Sequence, residues 1–164
     1  MIRQADFECS RCATCCRNLV EESSGIQRGL PLTSEEKELF SPENVAPKLG
    51  IGVESPKNVV LFQLTTNCCP HLNHQNHCGI YSKRPLMCRS FPIVAGAISN
   101  RCKIFSYRKP GVPYQETYKM TQQVEASNRL EKYIEKQLMK HLAKGVKLWE
   151  FDLKKKSWID LGPI

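Results

Sequence analysis

The sequence predicts a single α+β domain whose cysteine-rich loops are held in place by metal. Its 164 residues suffice for one hydrophobic core but not for two. The regular structure comes from a short β-branched segment and, after Pro113, a long amphipathic segment without Gly or Pro. The nine cysteines all lie among the first 102 residues. We therefore expect residues 1–110 to form a cysteine-cluster metal-binding region and residues 111–164 to complete the same domain.

The first half of the chain is predicted to contain one short helix and one strand. Residues 21–57 are predicted to be a connecting segment. Within it, Thr33-Ser34-Glu35-Glu36 has the form of a capping box, so a short helix is expected to run through Leu39 and to end before Pro42. Residues 58–64 are predicted to be a buried strand, because they are rich in β-branched and aromatic side chains and too few for a helix. The segment from Cys68 to Cys102 is expected to be loop-like.

The second half of the chain is predicted to be a long helix followed by a hairpin. A helix is expected from Tyr114 to Lys144, because apolar residues recur four apart along one face and Gly145 follows. Residues 148–153 and 157–161 alternate apolar and polar side chains around a run of three lysines. This pattern predicts a terminal β-hairpin.

Eight of the nine cysteines fall into two groups of four with different spacing. The first group is Cys9, Cys12, Cys15 and Cys16, and the second is Cys69, Cys78, Cys88 and Cys102. Thiols at three-residue steps favour an iron–sulfur site over the two-plus-two arrangement of a zinc finger. Adjacent cysteines point in different directions in most backbone conformations, so Cys15 and Cys16 are expected to serve different centres, or one of them to be a spare. Four plus four thiols predict one or two metal centres, holding iron–sulfur or zinc.

The net charge of +8 comes from one stretch of the chain. Residues 55–115 contain no acidic side chain and eight basic ones: Lys57, Lys83, Arg84, Arg89, Arg101, Lys103, Arg108 and Lys109. Basic groups near thiolates lower the thiol pKa and donate hydrogen bonds to sulfur, which favours metal loading. The alternative is a nucleic-acid surface, which is not favoured because the aromatic residues there lack the spacing of a stacking motif.

The order of motifs resembles a known family. The chain carries Cys9-x-x-Cys12-x-x-Cys15-Cys16, then Cys69-Pro70-His71-Leu72, then Cys78-Gly79-Ile80-Tyr81. Arg84-Pro85-Leu86-Met87-Cys88-Arg89-Ser90-Phe91-Pro92 follows. Over about residues 7–103 this series is similar to the YkgJ-type CxxCxxCC cysteine-cluster family, a zinc- or iron-chelating domain whose relatives include FliB-like flagellin lysine methylases.

The resemblance implies a set of metal ligands. They are Cys9, Cys12, Cys15, Cys16, Cys69, Cys78 and Cys88. Cys102 joins them on physical grounds, as an eighth thiol in the same basic stretch. Whether Cys68 or Cys69 is the ligand stays open.

Further side chains are predicted to support the cofactor without ligating the metal. Arg84 and Arg89 are predicted to bind it, Arg84 by hydrogen-bonding a cluster sulfur or an anionic ligand. The alternative for Arg84 is a structural turn in which its guanidinium bonds backbone carbonyls. The histidines of the second region, His71, His74 and His77, are expected to be surface residues rather than ligands.

Several function classes are disfavoured by the sequence. No Gly-x-Gly-x-x-Gly or phosphate-binding loop is present, which counts against a nucleotide-cofactor domain. We expect a metal-binding protein with a redox or methyl-transfer accessory role, as an iron–sulfur oxidoreductase or a component of a protein-lysine methylase. The alternative is a structural zinc module that mediates a protein or nucleic-acid interaction.

The location and the partners of the protein are predicted from charge and hydropathy. The N-terminal residues lack the apolar core of a signal peptide and no apolar run approaches the length of a membrane span, so a cytoplasmic protein without membrane contact is expected. Lysines at 132, 136, 140 and 144 form a stripe along the long helix. An acidic protein partner is the functional interpretation of this stripe, and a solvated helix face is the alternative. A redox partner is expected if the centre is iron–sulfur.

Overall fold

The computed structural model describes residues 5–106 and 118–164. The strands are β1 (Ala5–Asp6), β2 (Glu21–Ser23), β3 (Ile26–Arg28), β4 (Pro31–Leu32), β5 (Val45–Gly52), β6 (Asn58–Leu64), β7 (Ile93–Val94), β8 (Ala97–Ile98), β9 (Tyr118–Lys119), β10 (Lys147–Asp152) and β11 (Ser157–Pro163). The α-helices are α1 (Leu86–Ser90), α2 (Lys103–Ser106) and α3 (Thr121–Lys140). Single 3-10 turns lie at Cys15–Arg17, Glu36–Leu39, Pro42–Asn44 and Tyr81–Lys83. The mixed α+β class predicted from the sequence is confirmed.

An antiparallel sheet of five strands in the order β11-β10-β5-β6-β4 forms the centre of the molecule. The predicted strand at residues 58–64 is present with the predicted bounds, and its Val60, Leu61 and Leu64 are almost fully buried. α3 packs against α1 and β6, where Leu130 contacts the apolar cluster around Leu61. The sheet and α3 thus provide the rigid body that carries the cysteine loops.

The prediction of a connecting segment at residues 21–57 is wrong, because this stretch contains four strands. The largest of them, β5, lies in the middle of the sheet between β10 and β6. Its Pro47, Gly50 and Gly52 obscure the strand pattern in the sequence. The two glycines are required by close packing: a Cβ on Gly50 would press on Pro56 and Trp158, and one on Gly52 would collide with the Ser55 carbonyl. The strand therefore depends on contacts that its own pattern does not reveal.

The capping box within this segment is confirmed. The Glu36 N–H donates to Thr33 Oγ1 at 3.2 Å, and the Thr33 N–H donates to Glu36 Oε2 at 2.9 Å. These reciprocal bonds start only a single 3-10 turn, which ends at Leu39, ahead of Pro42 as predicted. Glu36 also accepts the Leu86 N–H at 2.7 Å through its second oxygen, so the cap ties this turn to the start of α1.

The long helix is shorter than the sequence pattern predicts. Its predicted start at Tyr114 lies outside the described residues, and Tyr118–Lys119 forms strand β9, which pairs in parallel with β1. At the other end, α3 stops at Lys140 instead of Lys144. Leu142 is exposed, so no apolar contact prolongs the helix, and Gly145 adopts a φ of +79° that turns the chain to bury Val146.

The predicted terminal hairpin is confirmed as β10 and β11. β10 also pairs with β5, so the hairpin extends the central sheet. Among the described residues, no helix combines the length and the hydrophobicity needed to cross a bilayer.

Candidate metal centre

The two cysteine regions meet through backbone hydrogen bonds. The Cys69 N–H donates to the Cys16 carbonyl at 2.8 Å, and the Leu19 N–H donates to the Asn67 carbonyl at 2.9 Å. The Asn67 side chain also accepts the Val20 N–H at 3.1 Å. Thiols more than fifty positions apart are thus brought to the same side of the molecule, as the long gaps in the sequence require.

The first region is a tight loop with two residues in the left-handed conformation. Arg11 has a φ of 54° and Ala13 a φ of 59°, and the single turn of Cys15–Arg17 follows. The Arg11 N–H lies 3.4 Å from Cys9 Sγ, so a backbone donor faces that sulfur. Donors of this kind stabilise a thiolate once it is ionised or bound to metal.

The second region is a loop that closes on itself. A β-bridge joins Leu72 to Cys78, and the Gly79 N–H donates to the His71 carbonyl at 2.8 Å. This closure places Cys69 and Cys78 at the base of the loop. The tip is tied to the first region by Arg17, whose guanidinium donates to Asn76 Oδ1 at 2.7 Å.

A single cavity of about 1300 Å³ receives the thiols of both regions. Its lining includes every predicted ligand: Cys9, Cys12, Cys15, Cys16, Cys69, Cys78, Cys88 and Cys102. Cys68 is exposed and does not line the cavity, so the geometry favours Cys69 as the ligand of that pair. Across residues 5–106 and 118–164, no three Cys, His, Asp or Glu side chains already converge on a metal position. The thiols therefore line the cavity without forming a finished cage.

The adjacent thiols of Cys15 and Cys16 contact each other. A hydrogen bond between them holds the pKa of Cys15 down to about 7 and raises the pKa of Cys16, so Cys16 keeps the proton that Cys15 gives up. Both residues line the cavity from the 3-10 turn at Cys15–Arg17, and the expectation that they serve different centres, or that one of them is a spare, stays a prediction.

The remaining thiols differ according to their burial. Burial raises the pKa of Cys88, and the neighbouring thiols Cys69, Cys15 and Cys78 raise it further. Burial is also the main cause of the raised pKa values of Cys69 and Cys102. A metal ion would release these protons on binding, because the thiolate is the ligand.

Cys12 and Cys102 lie in different environments. Cys12 is near the surface, and although burial opposes ionisation, hydrogen bonds from Thr14 and Ser10 lower its pKa. Cys102 is buried in an apolar cluster with Phe7 and Phe105 and lies at the apolar wall of the cavity.

The two predicted arginines have different surroundings. Arg84 lines the cavity, and its positive charge favours the thiolates of Cys15 and Cys88. The Arg89 guanidinium donates to the carbonyl groups of Arg84 at 2.9 Å and Ser82 at 3.2 Å. Arg89 therefore stabilises the turn that presents Arg84, and the carbonyl-bonding role considered for Arg84 belongs to Arg89.

The histidines vary in position. The ring of His71 lies against Phe40, with Nε2 2.6 Å from the Leu39 carbonyl, and it does not line the cavity. His77 lines the cavity, whereas His74 is exposed outside it.

Lys48 is a cationic group at the cavity that was not predicted from the sequence. Lys48 lies on β5 and lines the cavity, and desolvation lowers its pKa to about 8 despite the favourable charge of Glu150. No local motif marks Lys48. It could have been found only by predicting β5, which the pattern of glycines and proline concealed.

The donor set and the packing fit a thiolate-bound metal. Residues 65–84 contain no buried residue, and residues 8–20 contain only Ala13. Such segments gain little from hydrophobic burial, so metal–thiolate bonds are the natural source of their stability. Thiolates select zinc, iron–sulfur clusters and copper(I) among biological metals.

Searches of curated proteins and of solved structures found no match to the chain. The family model CxxCxxCC, described as a putative zinc- or iron-chelating domain, matches residues 8–137. The match extends well beyond the 7–103 of the motif series and includes most of α3, so the helix is part of the family's domain. Because this match spans most of the chain, the chain belongs to the CxxCxxCC family of zinc- or iron-chelating domains.

Proposed function

We propose that thiols from both cysteine regions bind an iron–sulfur or zinc centre in the cavity, and that the protein acts in the cytoplasm as a redox or methyl-transfer accessory protein. The observation that carries this proposal is the backbone bond from Cys69 to Cys16, which brings eight thiols to one cavity. Membership of a family of chelating domains supports the metal-binding part.

Eight thiols are enough for one or two four-ligand centres. Besides burial, the charges of Cys69, Cys15 and Cys78 raise the pKa of Cys88, and Cys15, Cys88 and Cys69 raise that of Cys16. Cys15 and Cys12 also raise the pKa of Cys102. Cys15 therefore acts on thiols of both cysteine regions, and the amount of metal per chain distinguishes one centre from two.

Iron–sulfur is the first choice of centre. The three thiols at three-residue steps favour it, and a cluster would supply one-electron transfer when bound. The chain's own residues set the conditions for that chemistry. Arg84 places a positive charge beside the anionic sulfurs. Phe7 and Cys102 line one side of the cavity, and Phe105 packs with them in one apolar cluster, which keeps water from that side.

A structural zinc module is the second candidate. The absence of buried residues from positions 65–84 favours it, because structural zinc contributes folding energy to segments that lack a core. The lysines of the predicted stripe, at positions 132, 136, 140 and 144, are all exposed and are available to an acidic partner.

Metal and acid-labile sulfide analysis of protein purified without oxygen tests the proposal and separates the candidates. An iron–sulfur protein gives brown protein with iron and sulfide near stoichiometry. A zinc module gives colourless protein with one or two zinc ions per chain. Protein that holds neither metal after purification, and that takes up neither on reconstitution, would contradict both.

A further inference from the structure

Two arginines at the cavity share one aromatic partner. The guanidinium carbon of Arg84 lies 3.9 Å from the centroid of the Tyr81 ring, and that of Arg11 lies 5.5 Å from it. All three side chains line the same cavity as the thiols. Tyr81 is 42% exposed, so the ring is a surface for the two cations and not a core residue.

Both guanidinium groups retain their hydrogen-bonding capacity. Within residues 5–106 and 118–164, other arginines have polar partners: Arg17 bonds Asn76, Arg28 bonds Glu150, and Arg101, which also lines the cavity, pairs with Glu21. Neither Arg11 nor Arg84 has a side-chain hydrogen bond or a carboxylate within 4.0 Å in this part of the chain. Stacking on a ring orients a guanidinium while leaving its N–H donors free in the plane.

The surroundings favour an external anion as the partner of these donors. Residues 55–115 contain no carboxylate. Three carboxylates from the first part of the chain, Asp6, Glu8 and Glu21, line the same cavity, but none of them forms an ion pair with Arg84 among the described residues, and Glu21 pairs with Arg101. The thiolates balance part of the positive charge of Arg84. Arg11 lies in the loop of the first cysteine region, where its backbone N–H faces Cys9 Sγ. A cavity of about 1300 Å³ exceeds the volume of typical small-molecule pockets, which leaves room for a ligand beside a metal centre.

We propose that Arg11 and Arg84, oriented by Tyr81, form a binding site for a small oxyanion, the carboxylate or phosphate group of a substrate, at the mouth of the thiol cavity. The planar guanidinium groups would donate paired N–H bonds to its oxygens. The site goes beyond the proposed metal function and does not depend on which metal the thiols hold. Its position would bring the rest of an anionic substrate against the metal centre.

Calorimetric titration of the metal-loaded protein tests this site, with inorganic phosphate in one arm and malonate in the other. We expect saturable binding of at least one probe. Arg84→Gln and Arg11→Gln should each weaken that binding at least about tenfold. Arg84→Lys should weaken it too, because a lysine keeps the charge and loses the planar fork. The arm with the tighter binding identifies the phosphate or the carboxylate class.

Arg129→Gln is the matched control, because Arg129 is exposed on α3 and does not line the cavity. It should leave binding unchanged. Tyr81→Leu retains both charges without the ring that orients them, and it should weaken binding severalfold. Metal content is measured for every variant. If Arg84→Gln loses metal, Arg11→Gln decides the outcome, since Arg11 is exposed and its side chain makes no hydrogen bond or ion pair with the described residues.

Three results would overturn the proposal: no saturable binding of either probe, full binding by Arg11→Gln, or an equal loss in Arg129→Gln. Failure of the metal proposal is distinguishable, because it would appear as absence of metal from the unmodified protein.

Discussion

At the residue scale, the adjacent pair Cys68 and Cys69 offers the sharpest test of ligand assignment. Cys69 lines the cavity and donates its backbone N–H to Cys16, whereas Cys68 is exposed outside the cavity. Cys69→Ser should lose at least half of the bound metal, measured by elemental analysis after anaerobic purification. Cys68→Ser is the control and should retain all of it. Equal metal content in the two variants would remove Cys69 from the ligand set.

Asp152 is expected to contribute to the stability of the turn between β10 and β11 and to its sensitivity to acid. Burial opposes its ionisation, but its Oδ1 accepts the N–H groups of Gln27 at 3.2 Å, Lys154 at 2.9 Å and Lys155 at 3.4 Å, and these bonds lower its pKa. Because the pKa of Asp152 is lowered in the folded protein, its ionised carboxylate stabilises the fold at pH values above its unfolded pKa of about 3.9. That stabilisation is lost as the pH falls through the folded pKa.

We expect Asp152→Asn to lower the free energy of unfolding at pH 7. Below about pH 4, the variant should lose less of its remaining unfolding free energy than the unmodified protein does. Urea unfolding of both proteins at pH 7, 4 and 3 measures this difference. Parallel losses in the two proteins below pH 4 would show that Asp152 does not contribute to the acid sensitivity.

At the scale of elements, the β2–β3 hairpin is held to the central sheet by an ion pair. Arg28 on β3 donates two hydrogen bonds to the Glu150 carboxylate on β10, at 2.6 and 2.9 Å, and the Glu150 side chain is only 8% exposed. Glu150→Ala leaves Arg28 without its partner and should cost about 2 to 3 kcal/mol of unfolding free energy. The pair between Glu22 and Lys154 is more exposed, so Glu22→Ala should cost less than about 1 kcal/mol. Similar costs in denaturant titrations would contradict this ranking.

Elements with strong local signals could be predicted from the sequence, whereas elements that depend on distant contacts could not. Residues 58–64 and the hairpin have alternating or β-branched patterns, and Thr33 and Glu36 form a local cap, so each was predicted correctly. β5 was missed because Gly50 and Gly52 are placed by contacts with Pro56, Trp158 and Ser55. The end of α3 was misplaced because the helix stops before Gly145: Leu142 is exposed and makes no apolar contact that would prolong it, and the chain turns to bury Val146.

In the candidate site, too, residues marked by a sequence motif could be predicted, and contacts that depend on the fold could not. The motif series identified seven of the eight thiols that line the cavity, and Cys102 was added as a further thiol in the same basic stretch. The contact between Cys15 and Cys16 could not be predicted, because it depends on the 3-10 turn at Cys15–Arg17. Lys48 and the partnership of Arg11 with Tyr81 were also missed, since both depend on strand and loop positions that no motif marks.

At the scale of the whole molecule, stability should divide between the core and the cysteine loops. Three of the four apolar clusters among the described residues include side chains of the sheet or α3, while residues 8–20 and 65–84 bury only Ala13. Removing metal should therefore increase amide hydrogen exchange in these two loops far more than in β5, β6 and α3. Equal loss of protection throughout the chain would show that metal supports the entire fold.

The proposed metal centre is held by sulfur atoms of the cysteines that line the cavity. X-ray absorption spectroscopy at the edge of the bound metal tests this ligation most directly, because it reports the kind and distance of the nearest atoms. We expect a shell of about four sulfur atoms per metal at about 2.3 Å. A shell dominated by nitrogen or oxygen at about 2.0 to 2.2 Å would contradict it.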